Sequence, residues 1–389
     1  MTGAALPASR AAARAGRRAH ARVTRLTVTD FRNIAQADIA FPADGIAVVG
    51  DNGHGKTNLL EAIAYLELLR SMRGVRDRDL VRFGAEAFHV GAEAEDTHAR
   101  RIGVGVSRAG EKRVALDGVE TPRLGDALGA VPSVCFSPAD VSLVTGGPGE
   151  RRRALDITLA LTDAAYLAAL RQYRAALARR NAALRTRRRD RAAVRAWEPA
   201  LAASGATLVA ARRAWVTELG ARFGELAAAI GEPQPMAIRY ESTLAEAQDV
   251  AAALREALEA SRERDEARGA TQAGPHRDDL AMMLGGQPLR TTGSAGQHRT
   301  AAIALRLLEA ETFRMRSGVQ PVVLLDDPFA ELDRSRAARV LALIEDATLG
   351  GVGQAVLCVP RADEIPPSFT RLERWRVRGG AFARESSGG

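Results

Sequence analysis

An α/β fold built on a mixed or parallel sheet, split by an inserted α-helical lobe, is predicted by three features of this 389-residue chain. A glycine-rich loop stands between an apolar strand, residues 46–50, and an amphipathic helix. A proline-free stretch rich in Ala, Leu and Arg runs from Pro148 to Pro199. Beyond it, strands and helices alternate again as far as residue 359. The composition, 46% hydrophobic and 26% charged, suits a globular protein of more than one lobe. No apolar run approaches the roughly 20 residues of a bilayer span, so no membrane association is expected. Cys135 and Cys358 are too few for a disulfide framework, which points to a reducing, cytoplasmic setting. A net charge of +8 and a pI near 10.3 favour a polyanionic partner, nucleic acid first. Only Lys56 and Lys112 are lysine, so a lysine in this Arg-rich chain is informative.

Residues 1–22 carry Ala and Arg without an acidic residue and read as a disordered basic leader, a misassigned start or a DNA-touching arm. Val23, Leu26 and Val28 mark a short edge strand, and residues 46–50 a compact apolar one. A helix follows from Thr57 to Arg70, with Leu59, Leu60, Ile63, Leu66 and Leu69 at helical spacing. Residues 86–135 suggest short strands, with a tight hairpin at Asp117-Gly118. Tyr166, Leu170, Tyr173, Leu177 and Leu184, then Leu201, Leu208, Trp215, Leu219, Phe223, Leu226 and Ile230, trace two long antiparallel helices. From 150 to 230, sixteen Arg stand against seven acidic residues, a surplus of nine charges. It serves either solvated helix faces or DNA contact, and Arg185, Arg187, Arg188, Arg189 and Arg191 are the candidate DNA-binding cluster. A flexible stretch at 261–274 precedes helices over 297–315 and 333–347 and strands over 321–325 and 354–359. The expected layout is a head half at 23–136, a helical lobe at 137–270 and a second head half at 271–389.

The chemistry starts at Gly50-Asp51-Asn52-Gly53-His54-Gly55-Lys56-Thr57, a G-x-x-x-x-G-K-[ST] loop between strand and helix. Glycines turn backbone N–H groups towards phosphate oxygens, the helix N-terminus adds its dipole, Lys56 reaches the β- and γ-phosphates of ATP, and Thr57 can ligate Mg²⁺. Residues 322–327, VVLLDD, deliver two carboxylates at a strand end: Asp326 for the metal ion and Asp327 to polarise water, unless they only cap a helix. Ser294, Gly296 and Gln297 precede a helix. In an ABC-type ATPase such a segment offers a hydroxyl, a glycine N–H and a helix N-terminus to the γ-phosphate held by the opposite subunit; a plain helix cap is the alternative. Glu331 and Asp333 then stand at the place of the D-loop.

Six segments together resemble the RecF family, an SMC-like branch of the ABC ATPases: LTVTDFRNI at 26–34, GDNGHGKTNLLEAI at 50–63, SPADVSLVTGGPGERRRALD at 137–156, GPHRDDL at 274–280, SAGQHRTAAIALRLLEAE at 294–311 and LLDDPFAELDRSR at 324–336. The resemblance implies an ABC-type P-loop ATPase head in a cytoplasmic protein that binds ATP, forms an ATP-dependent homodimer on DNA and hydrolyses ATP slowly. It also implies work with RecO and RecR in loading RecA at single-stranded and duplex gap junctions during repair and SOS induction. By the same resemblance Arg32 and Asn33 form a phosphate-proximal pair. Arg151 to Arg153 and His276 to Asp279 match family segments, and DNA contact and salt bridging suit them equally. The chain departs from the pattern in its leader, in Cys358-Val359-Pro360 where relatives carry threonines, and in Ile34. A transporter ATPase subunit would need a histidine after the last strand, and His298 is the last in the chain.

Overall fold

The structure, a computed structural model, describes residues 19–186, 191–329, 332–346 and 353–385. In chain order it begins with β1 (Arg22–Phe31), β2 (Ile34–Ala40), β3 (Gly45–Val49), α1 (Lys56–Leu68), β4 (Ala87–Glu95), β5 (Ala99–Ser107), β6 (Lys112–Leu116) and β7 (Ser133–Phe136). It continues with α2 (Pro148–Thr162), α3 (Ala164–Arg185), α4 (Glu198–Ile230), β8 (Met236–Glu241), α5 (Val250–Ala260), α6 (Arg262–Arg268) and β9 (Asp279–Leu284). Then come α7 (Ala295–Ser317), β10 (Val322–Asp326), α8 (Arg334–Ile344), β11 (Ala355–Val359), β12 (Glu373–Arg378) and β13 (Ala381–Arg384). The chain divides into two compact units. One comprises residues up to Ser137, Ala310–Pro328 and those from Ile344 on; the other comprises Pro138–Glu309 and Phe329–Leu343.

The first unit holds two sheets. One has the order β13-β12-β3-β11-β10-β7 and is parallel except for the β12–β13 hairpin. Its strands β3, β10 and β11 are buried at every position, which is why they read as unbroken apolar runs. The other sheet, β2-β1-β4-β5-β6 with Val119–Glu120, is antiparallel and alternates inward and outward residues. Its last hairpin turns through Asp117 and Gly118, both at positive φ. Gln354 joins the sheets: its amide accepts the Val23 N–H at 2.7 Å and donates to the carbonyls of Val23 at 2.8 Å and Pro42 at 3.0 Å. Phe31, Tyr65 and Phe88 pack edge to face beneath α1.

The strand beginning near Val23 is neither short nor an edge: β1 has ten residues and pairs with β2 and β4. The leader, expected to be disordered through residue 22, lies outside the described residues only to 18. Ala19–His20 pairs in parallel with Val319–Gln320, and Ala21, buried, donates its N–H to the Gln320 carbonyl at 2.8 Å.

In the second unit α3 and α4 run antiparallel, as Tyr166 meets Arg212 and Arg180 meets Glu198. Their facing stripes are buried, except Leu177. The expected flexible stretch at 261–274 is instead α6 and a pinned turn. Asp265, fully buried, accepts Arg180 at 2.7 Å, Ser261 at 3.2 Å and the Gln272 N–H at 2.8 Å. Polar composition suggested mobility; a single buried carboxylate with its donors overrides it. The expected boundary at 270 also moves, because β9 is in antiparallel register with β8 from Met236↔Leu284 to Glu241↔Asp279, tying residues 271–309 to this unit. Arg180→Ala is expected to destabilise this unit by about 3–5 kcal/mol, since it leaves Asp265 buried and uncompensated. Urea denaturation checks this, and Asp265→Leu added to the variant should recover much of the loss.

Candidate nucleotide-binding site

The phosphate loop links β3 to α1 in the first unit. Gly55 lies at φ 111°, and a Cβ there would meet Asn33 Oδ1 at 2.9 Å, so only glycine passes. Residues 51–53 are exposed, while Lys56 is buried and its Nζ donates to the carbonyls of Gly50 and, at 3.0 Å, Asp51, with Asn52 Oδ1 at 3.4 Å. The ammonium thus lies inside the curl of the loop. The Thr57 hydroxyl donates to Asp326 Oδ1 at 3.0 Å across 269 residues of sequence, because parallel pairing of β10, β11 and β3 brings the end of β10 beside the start of α1. Burial pushes the Asp326 carboxyl above the usual carboxylate range and neighbouring Asp327 adds to this, while Thr57, Arg73 and Lys56 oppose it. A hydroxyl and a buried carboxylate, side by side and short of compensating charge, are the hard oxygen donors that fit Mg²⁺. Asp327 stands at φ 46° with its N–H on the Cys358 carbonyl at 2.9 Å. Cys358 is buried with its Sγ 3.7 Å from the Lys56 carbonyl, and burial pushes its thiol up, so it stays protonated.

Asn33 reaches the loop: its Nδ2 donates to the Gly53 carbonyl at 3.3 Å, and its Oδ1 accepts Asn58 Nδ2 at 2.8 Å. Arg32 is held differently, paired in two bonds of 3.0 and 3.1 Å with Glu61, a buried carboxylate of α1 that also accepts Ser71 at 2.6 Å. Glu61 was missed in the sequence, where it reads as one polar position on an apolar helix. His54 is gripped at two points by the β12–β13 turn. Its Nδ1 accepts the Gly379 N–H at 2.9 Å and its carbonyl accepts the Gly380 N–H at 2.9 Å. A Cβ at Gly380 would lie 2.2 Å from the Asn33 carbonyl, so the turn, too, demands glycine. Lys112, the other lysine, serves the far end of α1: Nζ donates to the Leu69 carbonyl at 2.6 Å, pairs with Asp77 and lies 5.3 Å from the Tyr65 ring centroid.

The second unit places the remaining candidates. Ser294 and Gln297 form a reciprocal capping box on α7, with Ser294 N–H to Gln297 Oε1 at 2.9 Å and Gln297 N–H to Ser294 Oγ at 3.3 Å, and Gln297 also donates to Glu232 at 3.1 Å. Gly296 lies against Arg336, whose Nη1 would be 3.0 Å from a Cβ there. Asp333 caps α8 through the Arg336 N–H at 2.9 Å, which with the other nearby donors holds its carboxyl below the usual range; Glu331 lies outside the described residues. In the arginine cluster, Arg185 donates to the Gly269 carbonyl at 3.2 Å and Arg191 meets Glu266 at 3.2 Å, while Arg187, Arg188 and Arg189 lie outside the described residues. Arg151 forms a two-bond pair with Asp279 at 2.8 Å, and Arg152 donates to the Asp278 carbonyl. Arg212, buried, gathers Asp156 at 2.8 Å, the Pro275 carbonyl at 2.7 Å and Asp278 at 3.4 Å. His276 bridges the Tyr173 hydroxyl at 2.7 Å and the Thr271 carbonyl at 3.0 Å, and burial lowers its pKa, favouring the neutral ring. The 274–280 segment and Arg151 and Arg152 are thus engaged with one another.

A phosphate loop, a hydroxyl–carboxylate pair at a parallel strand end and a signature-type helix start define an ABC-type P-loop ATPase head. The chain matches the RecF/RecN/SMC N-terminal domain family over residues 22–350. It is 36% identical to the DNA replication and repair protein RecF of Roseiflexus castenholzii, over 92% of this chain and 98% of that one. It is 41% identical to that of Anaeromyxobacter sp. strain K, over 80% and 86%. A solved structure of the recombination mediator protein RecF with ATP superposes with a TM-score of 0.86 at 27% identity, covering 94% of this chain and 98% of that one. An Smc head domain from Pyrococcus furiosus shares the fold at a TM-score of 0.55. The chain belongs to the RecF family of DNA replication and repair proteins.

Proposed function

We propose that the protein is a cytoplasmic ATP-dependent DNA-binding protein of recombinational repair, replication and SOS induction, in which ATP joins two copies on gapped DNA. The Thr57–Asp326 contact carries the reading, since it brings the metal donors of two distant motifs to the mouth of the phosphate loop. Lys56 and the loop amides hold the β- and γ-phosphates, Thr57 and Asp326 hold Mg²⁺, and Asp327 orients the attacking water. Ser294, Gly296 and the start of α7 face the γ-phosphate of the opposite subunit. Asp327, one carbon shorter than glutamate and with its N–H held by the Cys358 carbonyl, favours slow hydrolysis, and in this reading that hydrolysis depends on DNA and resets the dimer. The surplus of arginine over acidic residues from 150 to 230 supports contact with the DNA backbone without base reading. RecO and RecR, named with a RecF relative through the RecFOR pathway, are the expected partners in loading RecA. Light scattering of the 41.4 kDa chain with and without ATP and a gapped duplex tests this. A doubled mass on DNA only with ATP is expected, and a chain that stays monomeric with both ligands overturns the dimer.

A further inference from the structure

The ring of Phe83 is 96% exposed, the most exposed of the large hydrophobic side chains among the described residues. Its position is fixed all the same. The Ala85 N–H closes a turn on the Arg82 carbonyl at 3.0 Å, with Gly84 at φ 85° in the third position. Arg108 ties down both ends of that turn, donating to the carbonyls of Arg82 and Ala85, each at 2.8 Å. Arg82 N–H bonds the Asp30 carbonyl at 2.7 Å, Val81 bridges to Phe31, and Arg32 N–H bonds the Leu80 carbonyl at 2.7 Å. A phenyl ring held at the tip of an anchored turn is preorganised to meet something flat.

The surroundings are cationic. Residues 70–84 carry Arg70, Arg73, Arg76, Arg78 and Arg82 against Asp77 and Asp79. Asp77 pairs with Lys112, Arg73 lies 3.9 Å from Glu61, and Arg78 and Arg82 make only long surface pairs, with Asp79 at 3.8 Å and Asp30 at 3.5 Å, which an incoming phosphate can replace. Arg73, Arg76, Arg78 and Arg82 are all exposed. A bare aromatic ring in an arginine-rich exposed segment matches a polyanion that offers unpaired rings, and a base stacked inside a duplex offers none.

We propose that Phe83 is a stacking contact for an unpaired base of single-stranded nucleic acid, with the neighbouring arginines on its phosphates. This rests on the DNA-binding reading and locates in the first unit the residue that distinguishes single strand from duplex. The probes are a fluorescein-labelled oligothymidylate and a blunt duplex of equal length, titrated by anisotropy with ATP present. Phe83→Ala is expected to weaken oligothymidylate binding about fivefold to a hundredfold, leave duplex binding within twofold, and leave the salt dependence unchanged because no phosphate contact is removed. Phe83→Trp should retain affinity, and its added fluorescence should be quenched by the oligothymidylate. Wild-type failure to bind either DNA overturns the DNA-binding reading and this inference together. Wild-type binding with Phe83→Ala unchanged, or with equal losses on single strand and duplex, overturns the inference alone. Loss of ATP-driven dimerisation with DNA affinity intact also overturns it and makes Phe83 a contact between subunits.

Discussion

Lys56→Met is expected to weaken ATP binding at least about a hundredfold and reduce hydrolysis to background, because one charge-assisted contact to the β- and γ-phosphates is lost and the loop keeps only neutral donors. The effect should not come through unfolding. Methionine retains most of the aliphatic stem, and of the two carbonyl partners that Lys56 gives up, Gly50 is half-buried and Asp51 belongs to the exposed stretch 51–53, within reach of water. Titration calorimetry with ATP, set beside a thermal melt of both proteins, checks the pair of statements. An unchanged melting temperature with ATP affinity within threefold of wild type would remove Lys56 from the site. DNA-driven assembly should vanish with nucleotide binding, which makes this variant the control for every ATP-dependent measurement.

The loop over 50–57 and the aspartate pair at the end of β10 stood out in the sequence because such chemistry admits few residue types at fixed spacing. Gly55 tolerates no side chain, and Thr57 and Asp326 must meet although they are far apart in sequence. What surrounds them was not legible. Glu61, Gln354 and the Gly379-Gly380 turn act through partners brought near only by sheet order, and no local period announces a buried acid or an amide that joins two sheets. Arg151, Arg152 and the 274–280 segment show the same limit from the other side. Residue type left DNA contact and salt bridging equally open; in the fold Arg151 is buried in a two-bond pair with Asp279, while Arg152 donates to the Asp278 backbone carbonyl and it is Arg212 that pairs with Asp156 and Asp278. The boundary at 270 failed because antiparallel pairing of β8 with β9 crosses a stretch whose composition looks like a linker.

Ser294→Arg is expected to abolish ATP-driven dimerisation while leaving ATP affinity close to wild type. It places a long cation where the opposite subunit must approach, and Ser294 belongs to a different unit from the phosphate loop of its own chain. This variant alone is ambiguous. The Ser294 hydroxyl also caps α7 through the Gln297 N–H, and loss of such a cap costs about 1 kcal/mol, enough to disturb the helix start. Ser294→Asp separates the two roles. Aspartate caps a helix as well as serine does and favours its positive end, so the local structure should hold, yet it sets a carboxylate against the incoming γ-phosphate. Like charges in a closed interface cost several kcal/mol, so the dimer should be lost although the helix is kept. Sedimentation with ATP and gapped DNA, with thermal melts of each variant, reads both effects. A Ser294→Asp protein that dimerises like wild type would make the serine a helix cap and nothing more, and the opposing contact would then have to come from Gly296 and the α7 amides alone.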